Sequence, residues 1–426
     1  MNLVDEAKVK AQLAFVRANS PFFRDFWTDL PERPTLAEVP VTDHKAYWAA
    51  NTPVNSRVLT GPLDAGVVFK SGGTSGNPKF SFFSNADWQS FCRAFGDALR
   101  RGGMQPGERV ANLFYGGQLY ASLLFVMRSI EEAGVGVCYP IAGFAPPEEI
   151  VEALEQFQLE TIAAVPTTVM SLLPHLAQVG PERLAVRRII YGGEAMFPDQ
   201  IEAIRAVLPG VEVRSIGIAG VDYGEMGFAG PDCAPGEHRC LDDSTVLELL
   251  DDQGRRIEEM GVPGRLLVTN LRRRLMPIIR YPVGDRGEWL EPAGTPHRKF
   301  RVLGRTELGA RVGPMTLYVE DVQKILHGLN ASVRVFAFQL VVDHDQRRDR
   351  CTLRLGVEAP QAIDAGLAER IVSSVYAERH MFPQLVEDGI VHPLAIEWVR
   401  QEELLRNPRT GKLQWVVDRR HDGTGA

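Results

Sequence analysis

The sequence predicts an α/β protein: a large N-terminal domain with mainly parallel sheets flanked by helices, and a small α+β C-terminal domain. Two observations carry this. Between Val110 and Leu208, short apolar runs alternate with stretches of helical length, the pattern of βαβ units on a parallel sheet. Near Gly304-Arg305 the composition shifts, and a segment of about 120 residues follows with strands and helices of its own, enough for a small domain. The expected domains are therefore 1–303 and 304–426.

Taken in order, Asp5–Thr28 opens as a helix. Ala7, Ala11, Phe15 and Val16 recur at helical spacing until Ser20-Pro21 breaks the pattern. A proline-rich passage from Pro31 to Pro40 leads to Val67-Val68-Phe69, which reads as a buried strand. Asp87–Arg101 is amphipathic, with Trp88, Phe91, Phe95 and Leu99 on one face. Strands follow at Val110–Phe114, Gly136–Tyr139, Thr161–Val165 and Arg188–Tyr191. They alternate with helices near Ser122–Ala133, Pro147–Gln156, Val169–Gln178 and Pro198–Leu208. Leu247–Leu250, Gly264–Thr269 and Arg301–Leu303 read as later, more antiparallel strands. Beyond them, strands Val333–Val342 and Cys351–Val357 and helices Val319–Leu329 and Ala362–Glu378 are expected, and Arg419–Ala426 is a frayed tail.

A formal charge of −7 argues against a nucleic-acid partner, which would select a basic face. No apolar run approaches the roughly 18 residues of a membrane span. The N-terminal residues lack the basic and apolar regions of a signal peptide. Cys92, Cys138, Cys233, Cys240 and Cys351 are few, odd in number and mostly far apart. Free thiols in a reducing compartment suit that pattern. The expectation is a cytoplasmic protein with neither membrane nor nucleic-acid partners.

Four stretches carry chemistry. Ser71-Gly72-Gly73-Thr74-Ser75-Gly76-Asn77-Pro78-Lys79 leaves the Val67–Phe69 strand, rich in glycines, hydroxyls and a lysine. Such a loop can turn backbone N–H groups inward as a nest for a phosphate chain; a plain flexible turn is the competing reading. It is not a Walker loop, because the Gly-Lys-Ser/Thr ending is missing. Gly192-Gly193-Glu194 follows the strand Arg188–Tyr191, where parallel sheets bind ligands, unless it is an ordinary turn. Pro277–Asp285 ends a strand with a carboxylate held at a turn, able to accept two ribose hydroxyls or merely to form the turn. Lys412 lies in Asn407–Leu413, on a loop bounded by proline and glycine, as a mobile point charge or a solvated side chain. Cys233, His238 and Cys240 lie within eight residues. They could supply three zinc ligands, although no fourth is evident; free thiols in a loop are the other reading.

The order of these stretches is more specific than any one of them. Ser71–Lys79, Tyr191–Glu194, an Asp/Gly segment, Arg280–Asp285, Gly304-Arg305 and Pro408–Lys412 together resemble the adenylate-forming (acyl-CoA synthetase) superfamily over nearly the whole chain. Ser20-Pro21-Phe22-Phe23, Asn112–Gly117 and Pro277–Asp285 resemble its phenylacetate-CoA ligase-like branch. The resemblance implies an ATP-dependent, AMP-forming ligase. A carboxylate attacks the α-phosphate of ATP, pyrophosphate leaves, and an acceptor then displaces AMP. Ser71, Thr74, Ser75 and Lys79, with Gly72, Gly73 and Gly76, would hold the triphosphate. Gly192, Gly193 and Glu194 would border adenine, and Asp285, aided by Arg305, would bind the ribose. Lys412, with Thr74 and Asp222, would stabilise charge during catalysis, which is electrostatic rather than acid–base work. A hinge near Glu307 would let the C-terminal domain rotate, carrying Leu308–Gly313 into a site between the domains.

Ser215–Gly224 departs from the family pattern. The best register puts Ile218 where an aromatic residue would flank adenine, Val221 in place of Thr, and Asp222 at the Mg²⁺-binding acid. A shifted register would use Glu225. Tyr115, Gly116 and Gly117, with Ile216, Gly217 and Ile218, would line the acid pocket, which favours an aryl or arylacrylic acid. CoA is the default acceptor. An amine, a carrier-protein thiol or nitrite, which would diazotise an aryl amine, stays open as in relatives from secondary metabolism. So does a non-catalytic nucleotide sensor. The expected partners are a small-molecule acid and acceptor, and a second copy in a homodimer.

Overall fold

The structure is a computed structural model that describes residues 6–70, 79–193, 196, 198–305, 309–328, 335, 337–357, 360, 365–400, 403–405 and 413–420. They form two compact units, the first ending at residue 305 and the second beginning at residue 309.

The first unit opens with α1 (Glu6–Asn19), which buries Val9, Leu13 and Val16. Ser20-Pro21 ends that helix but also starts another, α2 (Pro21–Phe26). The Ser20 hydroxyl accepts from the Phe23 N–H, and proline at the first helical position loses no hydrogen bond. A third helix, α3 (His44–Ala50), follows the proline-rich passage. Asp43 caps it by accepting from the Ala46 N–H at 3.0 Å. β1 (Gly66–Lys70) and β2 (Phe80–Ser84) then pair antiparallel. Ser84 caps α4 (Asn85–Arg101), whose Phe91, Phe95 and Leu99 are buried as the amphipathic pattern requires.

The expected alternation is a five-stranded parallel sheet: β3 (Glu108–Asn112), β4 (Gly136–Tyr139), β5 (Thr161–Ala164), β6 (Arg188–Tyr191) and β7 (Glu212–Ser215). The crossovers are α5 (Ser122–Ala133), α6 (Pro147–Gln156), α7 (Pro166–Val179) and α8 (Pro198–Val207). The spatial order is β4-β3-β5-β6-β7. The chain therefore steps to one side of β3 and then to the other. That reversal opens a crevice beyond the carboxyl ends of β3 and β5, the usual ligand site of such sheets.

From β7 the chain enters a seven-stranded antiparallel sheet. It contains β8 (Ile218–Gly220), β9 (Gly224–Phe228), β10 (Glu237–Cys240), β11 (Thr245–Leu250), β12 (Gly264–Asn270), β13 (Tyr281–Trp289) and β14 (Lys299–Arg305). Their order is β11-β12-β13-β14-β10-β9-β8. The N-terminal helices cover it, and Phe23, Trp27, Tyr47, Trp289 and Phe300 are buried in the shared core. The second unit is α+β. A hairpin, β15 (Gly309–Val312) and β16 (Met315–Tyr318), leads to α9 (Val319–Gly328). β17 (Ala337–Asp345) and β18 (Arg348–Val357) are antiparallel and carry parallel edge strands. α10 (Ala365–Glu378) and α11 (Met381–Glu387) precede those edges, β19 (Ala395–Arg400) and β20 (Val416–Asp418). Among the described residues, no helix is long and apolar enough to cross a membrane.

Two expectations need correction. Asp285 does not end a strand at a turn; it lies inside β13, which runs on to Trp289. Gly284 takes φ +84° just before it, and the register with β14 shifts just after it. Those two irregularities bend the strand locally while its pairing continues. The suggested zinc set also fails to assemble: no three His, Cys, Asp or Glu side chains among the described residues group around a metal position. His238 instead faces Ser215 Oγ at 3.1 Å, and Cys233 Sγ accepts from the Gly230 N–H at 3.3 Å.

Candidate active site

The glycine-rich stretch Ser71–Lys79 is described only at its end. Ser71, Gly72, Gly73, Thr74, Ser75 and Gly76 lie outside the described residues, as do Glu194, Glu307, Lys412 and the Arg305 side chain. Lys79, the first described residue after the loop, approaches α3. Its Nζ lies 3.0 Å from His44 Nε2 and 5.5 Å from the centre of the Trp48 ring. The His44 ring packs on Tyr281 with centres 5.5 Å apart, and Trp48 Nε1 donates to the Tyr281 hydroxyl at 2.9 Å. Burial and then the Lys79 charge push the His44 pKa down to about 4, while Asp222 and Asp43 pull the other way. Lys79, His44 and Asp222 thus share one electrostatic neighbourhood.

Asp222 sits in the turn between β8 and β9 and is partly exposed. The turn is fixed from beneath by Arg273, whose Nη1 donates to the Val221 carbonyl at 2.8 Å. That guanidinium is itself buried and stacks 4.0 Å from the centre of the Phe83 ring. Burial lowers its pKa, against the opposing charges of Asp87, Asp222 and Glu225. Asn270 Oδ1 accepts from the Arg272 and Arg273 N–H groups. The buried Asp87 carboxylate takes the next two, from Arg274 and Leu275 at 2.8 and 2.9 Å. Glu225 faces inward from β9. It is buried, accepts from Asn270 Nδ2 at 2.9 Å, and burial raises its pKa.

A second group occupies the carboxyl edge of the parallel sheet. Gly192 lies so close to Ile216 that a Cβ there would sit 2.7 Å from Ile216 Cγ2. Only glycine permits that approach, which brings the ends of β6 and β7 together beside Phe114. Gly193 turns the chain away with φ +82°. Beyond β3, the Tyr115 hydroxyl lies 3.0 Å from Thr168 Oγ1 and 3.2 Å from the Gly143 carbonyl, across the switch point. A Cβ at Gly116 would meet Leu123, whereas Gly117 is exposed and no atom of the described residues lies within 4 Å of a Cβ placed there. Gly217 carries the chain from β7 into β8, where Ile218 is half-buried.

A third element is the pair Asp285 and Arg305, which oppose each other on β13 and β14. The residues called from sequence therefore fall into three sets: Lys79 with Asp222, the Tyr115–Gly117 and Gly192–Ile218 edge, and Asp285 with Arg305. Sequence reasoning missed His44, Trp48, Asp87, Thr168 and Arg273. The Asp43 cap before an aromatic-rich heptapeptide was the available signal for His44 and Trp48; the other three become visible only through tertiary contacts.

No protein-family model matches the chain. It is 25% identical to a phenylacetate-coenzyme A ligase of Thermus thermophilus, over 99% of this chain and 97% of that protein. A second, from Aromatoleum evansii, is 24% identical over 83% of this chain and 78% of its own length. Among solved structures, 2-hydroxyisobutyryl-CoA ligase in complex with 2-HIB-AMP and CoA shares the fold. Its TM-score is 0.74 at 18% identity, covering 98% of this chain and 90% of that one.

Proposed function

We propose, from the premise that this is a phenylacetate-CoA ligase-like chain of the adenylate-forming superfamily, that it couples ATP cleavage to carboxylic-acid activation and passes the acyl group to CoA. The observation that carries this is the end-to-end correspondence with a phenylacetate-coenzyme A ligase, 99% of this chain against 97% of that protein. A carboxylate oxygen attacks the α-phosphorus and pyrophosphate departs. The CoA sulfur then attacks the acyl carbon and AMP departs. No acid–base residue is required at the first step; oriented positive charge is.

The residues have these proposed roles. Ser71–Gly76 and Lys79 hold the β- and γ-phosphates. Gly192, Gly193 and Glu194 border adenine, and Asp285 with Arg305 takes the ribose. Lys412 reaches between the carboxylate and α-phosphate oxygens, and Thr74 shares the stabilisation of charge. A magnesium ion held mainly by phosphate oxygens and water needs only one or two protein carboxylates. Asp222 fits that need: it is partly exposed and shares the neighbourhood of Lys79. Glu225 fits it poorly, being buried and engaged with Asn270. Tyr115, Gly116, Gly117, Ile216, Gly217 and Ile218 line the acid pocket, and the glycines among them leave room for a flat aryl or arylacrylic group. The C-terminal unit turns about Glu307 between the half-reactions.

Pyrophosphate release across a panel of aryl and aliphatic acids, with wild type and Lys412→Ala, tests the first half. An acid-dependent signal that Lys412→Ala lowers at least a hundredfold is expected. ATP binding without turnover of any acid would instead favour a nucleotide sensor. Supplying CoA, an amine, a carrier-protein thiol or nitrite to the loaded enzyme identifies the acceptor by the product formed.

A further inference from the structure

We propose that His44 is a positioning residue for Lys79, accepting a hydrogen bond from its ammonium and holding that cation at the end of the glycine-rich loop for the nucleotide's phosphates. The proposal rests on the phosphate-binding role given above to Lys79. The geometry is specific: Nζ and Nε2 are 3.0 Å apart. An ammonium only donates, so Nε2 must be the acceptor and His44 neutral, with its proton on Nδ1. The buried setting that lowers its pKa to about 4 keeps it neutral at physiological pH.

α3 is built to hold this ring still. Its first turn is capped by Asp43, the Tyr47 hydroxyl donates to the Pro277 carbonyl at 3.0 Å, and Trp48 is tied to Tyr281. His44 and Trp48, four residues apart on one helical face, thus address the same ammonium. An untethered lysine side chain carries considerable rotamer entropy, part of which phosphate binding would otherwise have to overcome. The choice of imidazole also has a reason. A carboxylate at this position would pair with Lys79 and compete with phosphate, whereas a neutral acceptor orients the charge without cancelling it. Lysine is not a compositional default here either, since the chain has 8 lysines against 39 arginines.

The scarcity of lysine makes a direct test practical. The full chain is reductively ¹³C-methylated, the Lys79 resonance is assigned with Lys79→Arg, and MgATP affinity is measured by calorimetry. His44→Phe should move the Lys79 resonance toward those of exposed lysines. It should weaken MgATP about tenfold, the scale of one hydrogen bond to a charged group, and raise KM for ATP more than it lowers kcat. His44→Gln, which retains an acceptor, should recover most of both. An unmoved Lys79 resonance in His44→Phe overturns the proposal whatever happens to ATP. A moved resonance with unchanged affinity, when Lys79→Ala does weaken ATP, overturns the positioning role. If Lys79→Ala has no effect on ATP, the phosphate role of Lys79 falls first and this inference falls with it.

Discussion

Asp285 on β13 and Arg305 on β14 are direct partners across an antiparallel pair, and the register breaks immediately beyond them. Arg286 pairs with Gly304, but Gly287 pairs with Val302, so Leu303 has no opposite residue. A bulge at that point increases local twist and re-aims the neighbouring side chains. It sets Asp285 at a bent point of β13, opposite the end of the last strand before the second unit.

If that pair takes the ribose, Asp285→Ala should weaken ATP and AMP about 10- to 100-fold, the range for hydrogen bonds to a charged acceptor. Calorimetric titration with ATP, AMP and inorganic pyrophosphate checks this. Pyrophosphate affinity should hold steady, because it has no ribose. Equal weakening of all three would place Asp285 elsewhere in the mechanism.

Asp222 and Glu225 lie three positions apart in very different surroundings. Glu225 is buried against Asn270 with a raised pKa, which disfavours the ionised form a magnesium ion needs. Asp222→Ala should therefore raise the magnesium concentration for half-maximal turnover at least tenfold. Glu225→Gln should leave that concentration unchanged and preserve the Asn270 contact. The reverse pattern in a magnesium titration would reassign the metal to Glu225.

The sequence made some of this legible and hid the rest for physical reasons. The parallel sheet was readable because each strand is a short apolar run between amphipathic helices, as at Thr161–Ala164 and Arg188–Tyr191. Residues bound to local backbone constraints, such as Gly192 and Gly193, were readable too. β13 was mistaken at Asp285 because Gly284 and the bulge look like turn chemistry when the partner strand is unseen. Arg273 was invisible as support. Nothing local distinguishes it from Arg272 and Arg274, which are exposed, while Arg273 is buried beneath Val221 and Phe83.

That buried arginine makes a prediction of its own. Arg273→Met keeps length and apolar contact but removes the hydrogen bond to the Val221 carbonyl. It also removes one of the positive charges that face the buried Asp87 carboxylate. A loss of about 3 kcal/mol in unfolding free energy is expected, at the low end for breaking a buried charge set. Asp87→Asn should also destabilise, because its single amide oxygen can accept from only one of the Arg274 and Leu275 N–H groups while its NH2 faces the other. Urea denaturation followed by fluorescence reads both; a Met variant as stable as wild type would mean Arg273 is retained for the Asp222 turn rather than for the fold.

His238 sets a stability limit on the acid side. Its ring is buried on β10, beside Ser215 Oγ and 5.8 Å from the centre of the Phe300 ring. Burial lowers its pKa to about 4, outweighing the opposing Glu237 charge. In the unfolded chain it protonates near pH 6.5, so below that value the unfolded state takes up a proton that the native state refuses. Unfolding free energy therefore falls as pH drops from 6.5 toward 4, and the contribution is fully present above 6.5. The interval corresponds to about 3 kcal/mol. His238→Gln retains a partner for Ser215 but cannot titrate. Its urea midpoint should lie below wild type at pH 7.5, and the gap should close as pH falls to 4.5. Carboxylates elsewhere affect both proteins alike and cancel in the comparison, so parallel curves would show that His238 is not the group responsible.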